Sequence, residues 1–143
     1  MKLVLSSAVL AGVLLLTGCG GSLCEQTCAR YNACTVAERS INMDCTDYCS
    51  NVDSLNARAN TAGVTGCAAK WTAHLNCWQN KPQTALCDTD NVDCDQSATD
   101  WQDCVVPYCD GVVLAGTFDR ACQGEFDGFP NSLSLWSPFQ SGF

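Results

Sequence analysis

The sequence is poor in bases, prolines and histidine: seven lysines and arginines, four prolines and the single His74 in 143 residues. It contains no C-x-x-C pair and no G-x-S-x-G run. Each absence narrows the chemistry. Without C-x-x-C the usual signature of a thiol oxidoreductase is missing. Without a nucleophile elbow, a Ser–His–Asp hydrolase would have only His74 to serve as its base. Seven bases against fifteen acids leave a formal charge of −8, which repels nucleic acid. No apolar run reaches the roughly 20 residues a membrane-spanning helix needs. The longest, Leu3 to Leu16, is broken by Ser6, Ser7 and Gly12.

That run nevertheless has the form of an export signal. Met1 and Lys2 give a short basic start, and the apolar stretch follows directly. It ends in Leu16-Thr17-Gly18-Cys19, which resembles the lipobox of bacterial lipoproteins at all four positions. The resemblance implies that residues 1–18 are a signal peptide and that Cys19 is lipidated and becomes the first mature residue. It also implies attachment to a membrane through lipid. Gly20 stands where an aspartate would favour the inner membrane in Gram-negative lipoproteins, which implies the outer membrane in such a host. The cysteine count agrees: thirteen is odd, and setting Cys19 aside leaves an even set suited to an oxidising compartment.

The mature chain, Cys19 to Phe143, has the length of one domain. Loss of Lys2 makes it one unit more negative than the whole chain. The acids are concentrated: ten lie between Leu86 and Asp127, with Arg120 the one base among them. Anionic headgroups repel such a surface, so this half is expected to face away from the membrane.

The periodicity predicts an all-α domain over 19–122. Ser22-Leu23-Cys24-Glu25 reads as a capping box opening a helix from Leu23 to about Cys34. Only Gly20 and Gly21 separate that cap from Cys19, a reach of at most about 10 Å, so the domain should sit almost on the bilayer. A second helix is expected from Asn42 or Asp44 to about Ala59, with Asp44 and Asp47 at its positive end. Asn60 to Gly66 reads as a loop. A third helix is expected from Cys67 to Asn80, followed by a polar loop over 81–92. Asp93-Cys94-Asp95-Gln96 looks like the cap of a fourth helix, which Pro107 should end or kink. Asp110-Gly111 reads as a turn before a short helix within 112–122.

Cys24 and Cys28 are one helical turn apart, as are Cys45 and Cys49. Two antiparallel helices carrying such pairs can be bridged twice, Cys24–Cys49 and Cys28–Cys45. Cys67 and Cys77 are ten apart, and so are Cys94 and Cys104. This resembles the twin CX9C arrangement of the helical hairpins of mitochondrial intermembrane-space proteins, which implies Cys67–Cys104 and Cys77–Cys94. Cys87, in the connecting loop, is extra to that pattern. With those pairs Trp71 and Trp101 would lie one turn inside the same bridge and could pack together. Cys34, Cys87, Cys109 and Cys122 then allow three connectivities. Of these, Cys34–Cys87, joining the hairpins, and Cys109–Cys122, closing the last turn, are expected. The fold class is thus two disulfide-stapled antiparallel helical hairpins plus an irregular aromatic tail, 123–143.

The tail carries Phe126, Phe129, Leu133, Leu135, Trp136, Phe139 and Phe143. It either wraps the hairpins and buries these side chains or serves as a docking peptide with Trp136 and Phe139 as anchors. Elsewhere the chemical candidates are few. His74 could join Cys77, one turn away, as a metal ligand, but a lone helical histidine beside Trp71 and Trp78 suits packing or surface better. Asp88, Asp90, Asp93 and Asp95, with Asn91, offer oxygen ligands for calcium, although Val92 and Asp93 break the EF-hand pattern. The expectation is a non-enzymatic envelope lipoprotein without a cofactor, binding an envelope protein partner or supporting an assembly. The alternative is a calcium-dependent ligand-binding protein using the Asp88–Asp95 loop.

Overall fold

A computed structural model of the chain describes residues 21–35, 43–88, 90–117 and 119–123. They form α1 (Leu23–Asn32), α2 (Cys45–Thr61), α3 (Cys67–Gln79), α4 (Gln83–Cys87) and α5 (Asp95–Leu114), closed by a 3-10 turn, Arg120–Gln123. The fold is all-α, with α3 packed against α1, α2 and α5. No helix among the described residues is long and apolar enough to cross a membrane.

Local chemistry sets the ends. Ser22 and Glu25 form the expected capping box: Glu25 N–H donates to Ser22 Oγ at 3.2 Å, and Ser22 N–H donates to Glu25 Oε2 at 2.6 Å. These bonds hold the Glu25 carboxyl below its ordinary range. Asp44 caps α2 by accepting from the amides of Thr46 and Asp47. Helices α2 and α5 end in Schellman turns built on Gly63 (φ 90°) and its counterpart after α5, Gly116 (φ 66°). Val64 N–H reaches Ala59 O and Thr117 N–H reaches Val112 O, satisfying carbonyls that the helix leaves open. A side chain at either glycine would meet the left-handed backbone penalty.

Six disulfides then fix the helices to one another: Cys24–Cys49, Cys28–Cys45, Cys34–Cys87, Cys67–Cys104, Cys77–Cys94 and Cys109–Cys122, with Cα separations of 5.3–5.9 Å. The first two make α1 and α2 antiparallel, the fourth and fifth do the same for α3 and α5, and Cys34–Cys87 joins the two hairpins through α4. Individual bridges of this kind contribute about 2–4 kcal/mol each, not additively. Between them lies a core of Tyr31, Tyr48, Val52, Leu55, Trp71, Leu75, Trp78, Leu86, Trp101 and Val105. Trp71 and Trp101 do pack together, with ring centroids 4.7 Å apart. Trp101 Nε1 also donates to Asn56 Oδ1 at 2.9 Å, tying α5 to α2.

Several boundaries differ from those read in the sequence. The segment 81–92 is no continuous loop: α4 occupies 83–87 and buries Leu86 completely. Five residues are too few for a periodic signal, and what stabilises α4 is non-local, the Cys34–Cys87 bridge and a bond from Gln83 Nε2 to Arg30 O. Asp93 is not the cap of the following helix. The residue at the N-cap is Cys94, which gives no side-chain cap, while Asp93 pairs with Lys81 at 2.8 Å. Pro107 does not end α5, and Asp110-Gly111 is helical rather than a turn. An interior proline costs about 3 kcal/mol. Bridges at Cys104 and Cys109 clamp the helix on both sides of it and offset that cost. The helix expected within 112–122 is replaced by the end of α5 and the 3-10 turn. The tail beyond residue 123 lies outside the described residues, as does the N-terminal segment through Gly20.

Candidate functional site

The two hairpins have distinct ends. Arg30 of α1 donates to Trp78 O at 2.8 Å and to Lys81 O at 2.7 Å, so the C-terminal ends of α1 and α3 lie together. Cys77–Cys94 brings the start of α5 to the same place. The Asp88–Asp95 segment therefore belongs to this end. The opposite end carries the C-terminal part of α2, the 62–66 turn, the last turns of α5 and the 3-10 turn.

At the first end the candidate calcium ligands are drawn into local roles. Asp88 Oδ1 accepts from Asp90 N–H at 3.0 Å, and Asn91 Oδ1 accepts from Asp93 N–H at 2.8 Å. Lys81 holds the Asp93 carboxyl below the usual range. Asp95 lies in the first turn of α5, where the helix dipole favours its charge. Among the described residues, no three His, Cys, Asp or Glu side chains are gathered as metal ligands.

His74 is buried, its ring 5.5 Å from that of Trp71. Cys77 cannot join it as a thiolate ligand, because Cys77 is bonded to Cys94. Its partner is one that sequence reading missed: Ser97, 3.0 Å from Nδ1. The pair has the spacing of a nucleophile and its base, but the protons run the other way. Ser97 Oγ donates to Cys94 O at 2.7 Å, so the bond between Ser97 and His74 is filled by the Nδ1 proton. Burial pushes the imidazole down to about 4, with the Cys94 carbonyl and Asp95 opposing that shift. The arrangement cross-links α3 to the first turn of α5 as a neutral hydrogen-bond relay.

The other end holds the less expected cluster. Asp119 accepts from Arg58 Nε at 2.7 Å, from Arg58 Nη2 at 3.0 Å, from the Tyr108 hydroxyl at 2.6 Å and from Ala121 N–H at 3.0 Å. Partial burial alone would raise the Asp119 carboxyl, but Tyr108 and Arg58 outweigh it and hold the group low. The cluster fixes the closing turn across α2 and α5, and Cys109–Cys122 repeats the connection covalently.

Beside this cluster α5 shows apolar surface to solvent: Val106, Val113 at 69% exposure and Leu114 at 89%. Two adjoining depressions share Val112 and Thr117. The smaller, about 190 Å³, has Val106, Asp110 and Cys122 in its wall. The larger, about 360 Å³, is closed by Ala62, Val64 and Pro107. Together they make a furrow around the last two turns of α5. Periodicity missed it because Pro107 and Asp110-Gly111 concealed the helix that builds it. Cys19 and the proposed anchors Trp136 and Phe139 all lie outside the described residues. No family model matches this sequence, and comparison with curated proteins and with solved structures finds no match.

Proposed function

We propose that the chain is a lipid-anchored protein of the bacterial cell envelope, outer-membrane in a Gram-negative host, acting as a non-enzymatic binding or structural module for an envelope partner. The observation that carries this reading is the position of the capping box. The folded domain begins at Ser22, three residues after the cysteine of Leu16-Thr17-Gly18-Cys19, so lipid on Cys19 would hold a rigid body flush with the membrane. Two further features support it. The twelve cysteines after Cys19 are all used in bridges, as suits an oxidising compartment and leaves Cys19 the odd one. The acid-rich Asp88–Asp95 segment lies at the C-terminal end of α1, whereas the residues before Ser22 leave from its N-terminal end. That polarity turns the Asp88–Asp95 acids away from anionic headgroups, while Asp110 and Asp119, of the same acidic half, lie at the other end.

The test is the intact mass of membrane-extracted protein, with thiols alkylated before and after reduction. The expected result is a lipidated chain starting at Cys19, with no alkylation until reduction exposes the twelve bridged cysteines. A water-soluble chain, or an unmodified Cys19, removes the anchor and this function with it.

A further inference from the structure

The N-terminal end of α1, from which the chain leads back toward Cys19, faces the same way as the end of the bundle that carries the furrow. Bridges Cys24–Cys49 and Cys28–Cys45 set Ser22 about level with Asn51 of α2. From there α2 runs on to Thr61, about ten residues and about 15 Å of helix. Asp119 ties Arg58 of α2 to Tyr108 of α5, and α5 continues past Tyr108 to Leu114. The link from Cys19 to Ser22 spans at most about 10 Å. This end therefore projects farther than the link can reach, and a lipid on Cys19 could not hold it upright and clear of the bilayer. Helix α1 is itself about 15 Å long, so the link is also too short to stand the domain on its Asp88–Asp95 end. Surface chemistry separates the two ends. Among the described residues four large apolar side chains are exposed, and three of them, Val106, Val113 and Leu114, lie on the projecting end. Its Asp119 carboxylate is paired with Arg58 and the Tyr108 hydroxyl, and Asp110 stands in the wall of the smaller depression.

We propose that this end is the membrane-contacting surface of the anchored protein, with Val113 and Leu114 seated at the headgroup–acyl boundary of a zwitterionic bilayer. The inference rests on the lipid anchor proposed above and adds the face that meets the lipid. A few apolar side chains would hold a free protein to a bilayer only weakly, but a lipid in the same leaflet makes their contact nearly intramolecular. An interfacial apolar face sinks about 5–10 Å. Asp110, one turn before Leu114, limits that depth, because its carboxylate has to stay among the headgroups. The same carboxylate favours zwitterionic over anionic lipid. The Asp88–Asp95 segment then points into the aqueous phase, and a protein partner meets the domain there or on its flanks, since lipid occupies the furrow.

The test uses the full lipidated chain in phosphatidylcholine vesicles with and without brominated acyl chains, which quench nearby indoles. Leu114→Trp places a reporter on the projecting end and Val92→Trp places one on the opposite end. Both sites are exposed, at 89% and 66%, so the bundle tolerates either change. Wild-type emission, from the native tryptophans, is subtracted as the reference. The expected result is bromine quenching several-fold stronger for Leu114→Trp than for Val92→Trp, with the Leu114→Trp emission shifted to the blue. In the wild type, amide exchange over 109–115 should be several-fold slower on vesicles than in an unlipidated chain beginning at Gly20 and free in solution. Intact mass of the same vesicle sample separates the two ways of failing. A chain without lipid on Cys19 removes the anchor, and this inference with it. A lipidated chain in which bromine quenches Leu114→Trp no more than Val92→Trp overturns the membrane-contacting face and leaves the anchor standing. Leu114→Trp shielded from iodide but untouched by bromine overturns it too, and assigns the furrow to another part of the chain or, if dilution among the vesicles removes the shielding, to a second copy.

Discussion

Replacing His74 by glutamine should flatten the acid side of the stability profile. In the fold the imidazole is enclosed among Trp71, Ser97 and the start of α5, and it takes a proton only near pH 4. In the unfolded chain it should titrate near its ordinary value of about 6.5. Between those values the unfolded state binds the additional proton, so stability falls as the pH drops from about 6.5 toward 4 and changes no further below that. At about 1.4 kcal/mol per pH unit, the full loss is on the order of 3 kcal/mol, and about 2 kcal/mol of it is present by pH 5. Guanidinium unfolding with the disulfides intact, followed by tryptophan emission at pH 7 and pH 5, gives the stability of wild type and His74→Gln at each pH. Carboxylates contribute almost equally to both proteins and cancel in the difference. The variant is less stable at pH 7, having lost a packed ring, but the gap should narrow by about 2 kcal/mol at pH 5. A gap that does not change with pH would show that His74 is already accessible to protons in the fold, and the account of the Ser97 relay would fail with it.

Removing the Asp119 carboxylate in Asp119→Ala should cost about 1–2 kcal/mol, since it leaves the Tyr108 hydroxyl and half-exposed Arg58 without their acceptor; an unchanged denaturation midpoint would refute the clamp. The double variant Cys109→Ala/Cys122→Ala should lose about 3 kcal/mol through the loop-closure entropy that the bridge removes from the unfolded chain. Hydrogen exchange should rise mainly beyond Pro107, because Cys67–Cys104 and Cys77–Cys94 still hold α3 and α5; uniform loosening would contradict this. Calcium, titrated by calorimetry into the mature protein, should give neither heat nor a melting shift, since Asp88, Asp93 and Asp95 are each engaged separately. A melting increase at millimolar calcium would restore the ligand-binding alternative.

What could be read from the residues was local or carried by the cysteines. The capping box at Ser22 and Glu25 depends on a three-residue spacing and survives any tertiary context. The antiparallel pairing of α1 and α2 follows from two matched one-turn cysteine spacings, and the meeting of Trp71 with Trp101 from the bridge beside them. What could not be read was decided by contacts distant in sequence. Leu86 is buried because Cys34 holds α4 against the end of α1. Pro107 stays helical because its neighbours are bridged to other elements, so its breaking tendency is overridden. Asp93 has the form of a cap, but Lys81 arrives from across a turn and takes its carboxylate. The Arg58–Asp119–Tyr108 cluster joins positions 58, 108 and 119, which no local spacing relates. The furrow followed the same fate as the helix that bounds it.

The order of the bridges also determines how the protein would carry a pull between its two ends. The shortest covalent route from Cys24 to Cys122 crosses Cys24–Cys49, follows the backbone from 49 to 67, crosses Cys67–Cys104, follows 104 to 109 and crosses Cys109–Cys122. Tension would fall on α2 and the turn after it, and on the short stretch of α5 that includes Pro107. Helices α1, α3 and α4, with the acid-rich segment, lie off that route as slack. Stretched in this way the domain could lengthen only along those two backbone stretches, and the bridges would return it to the same topology once the load was released.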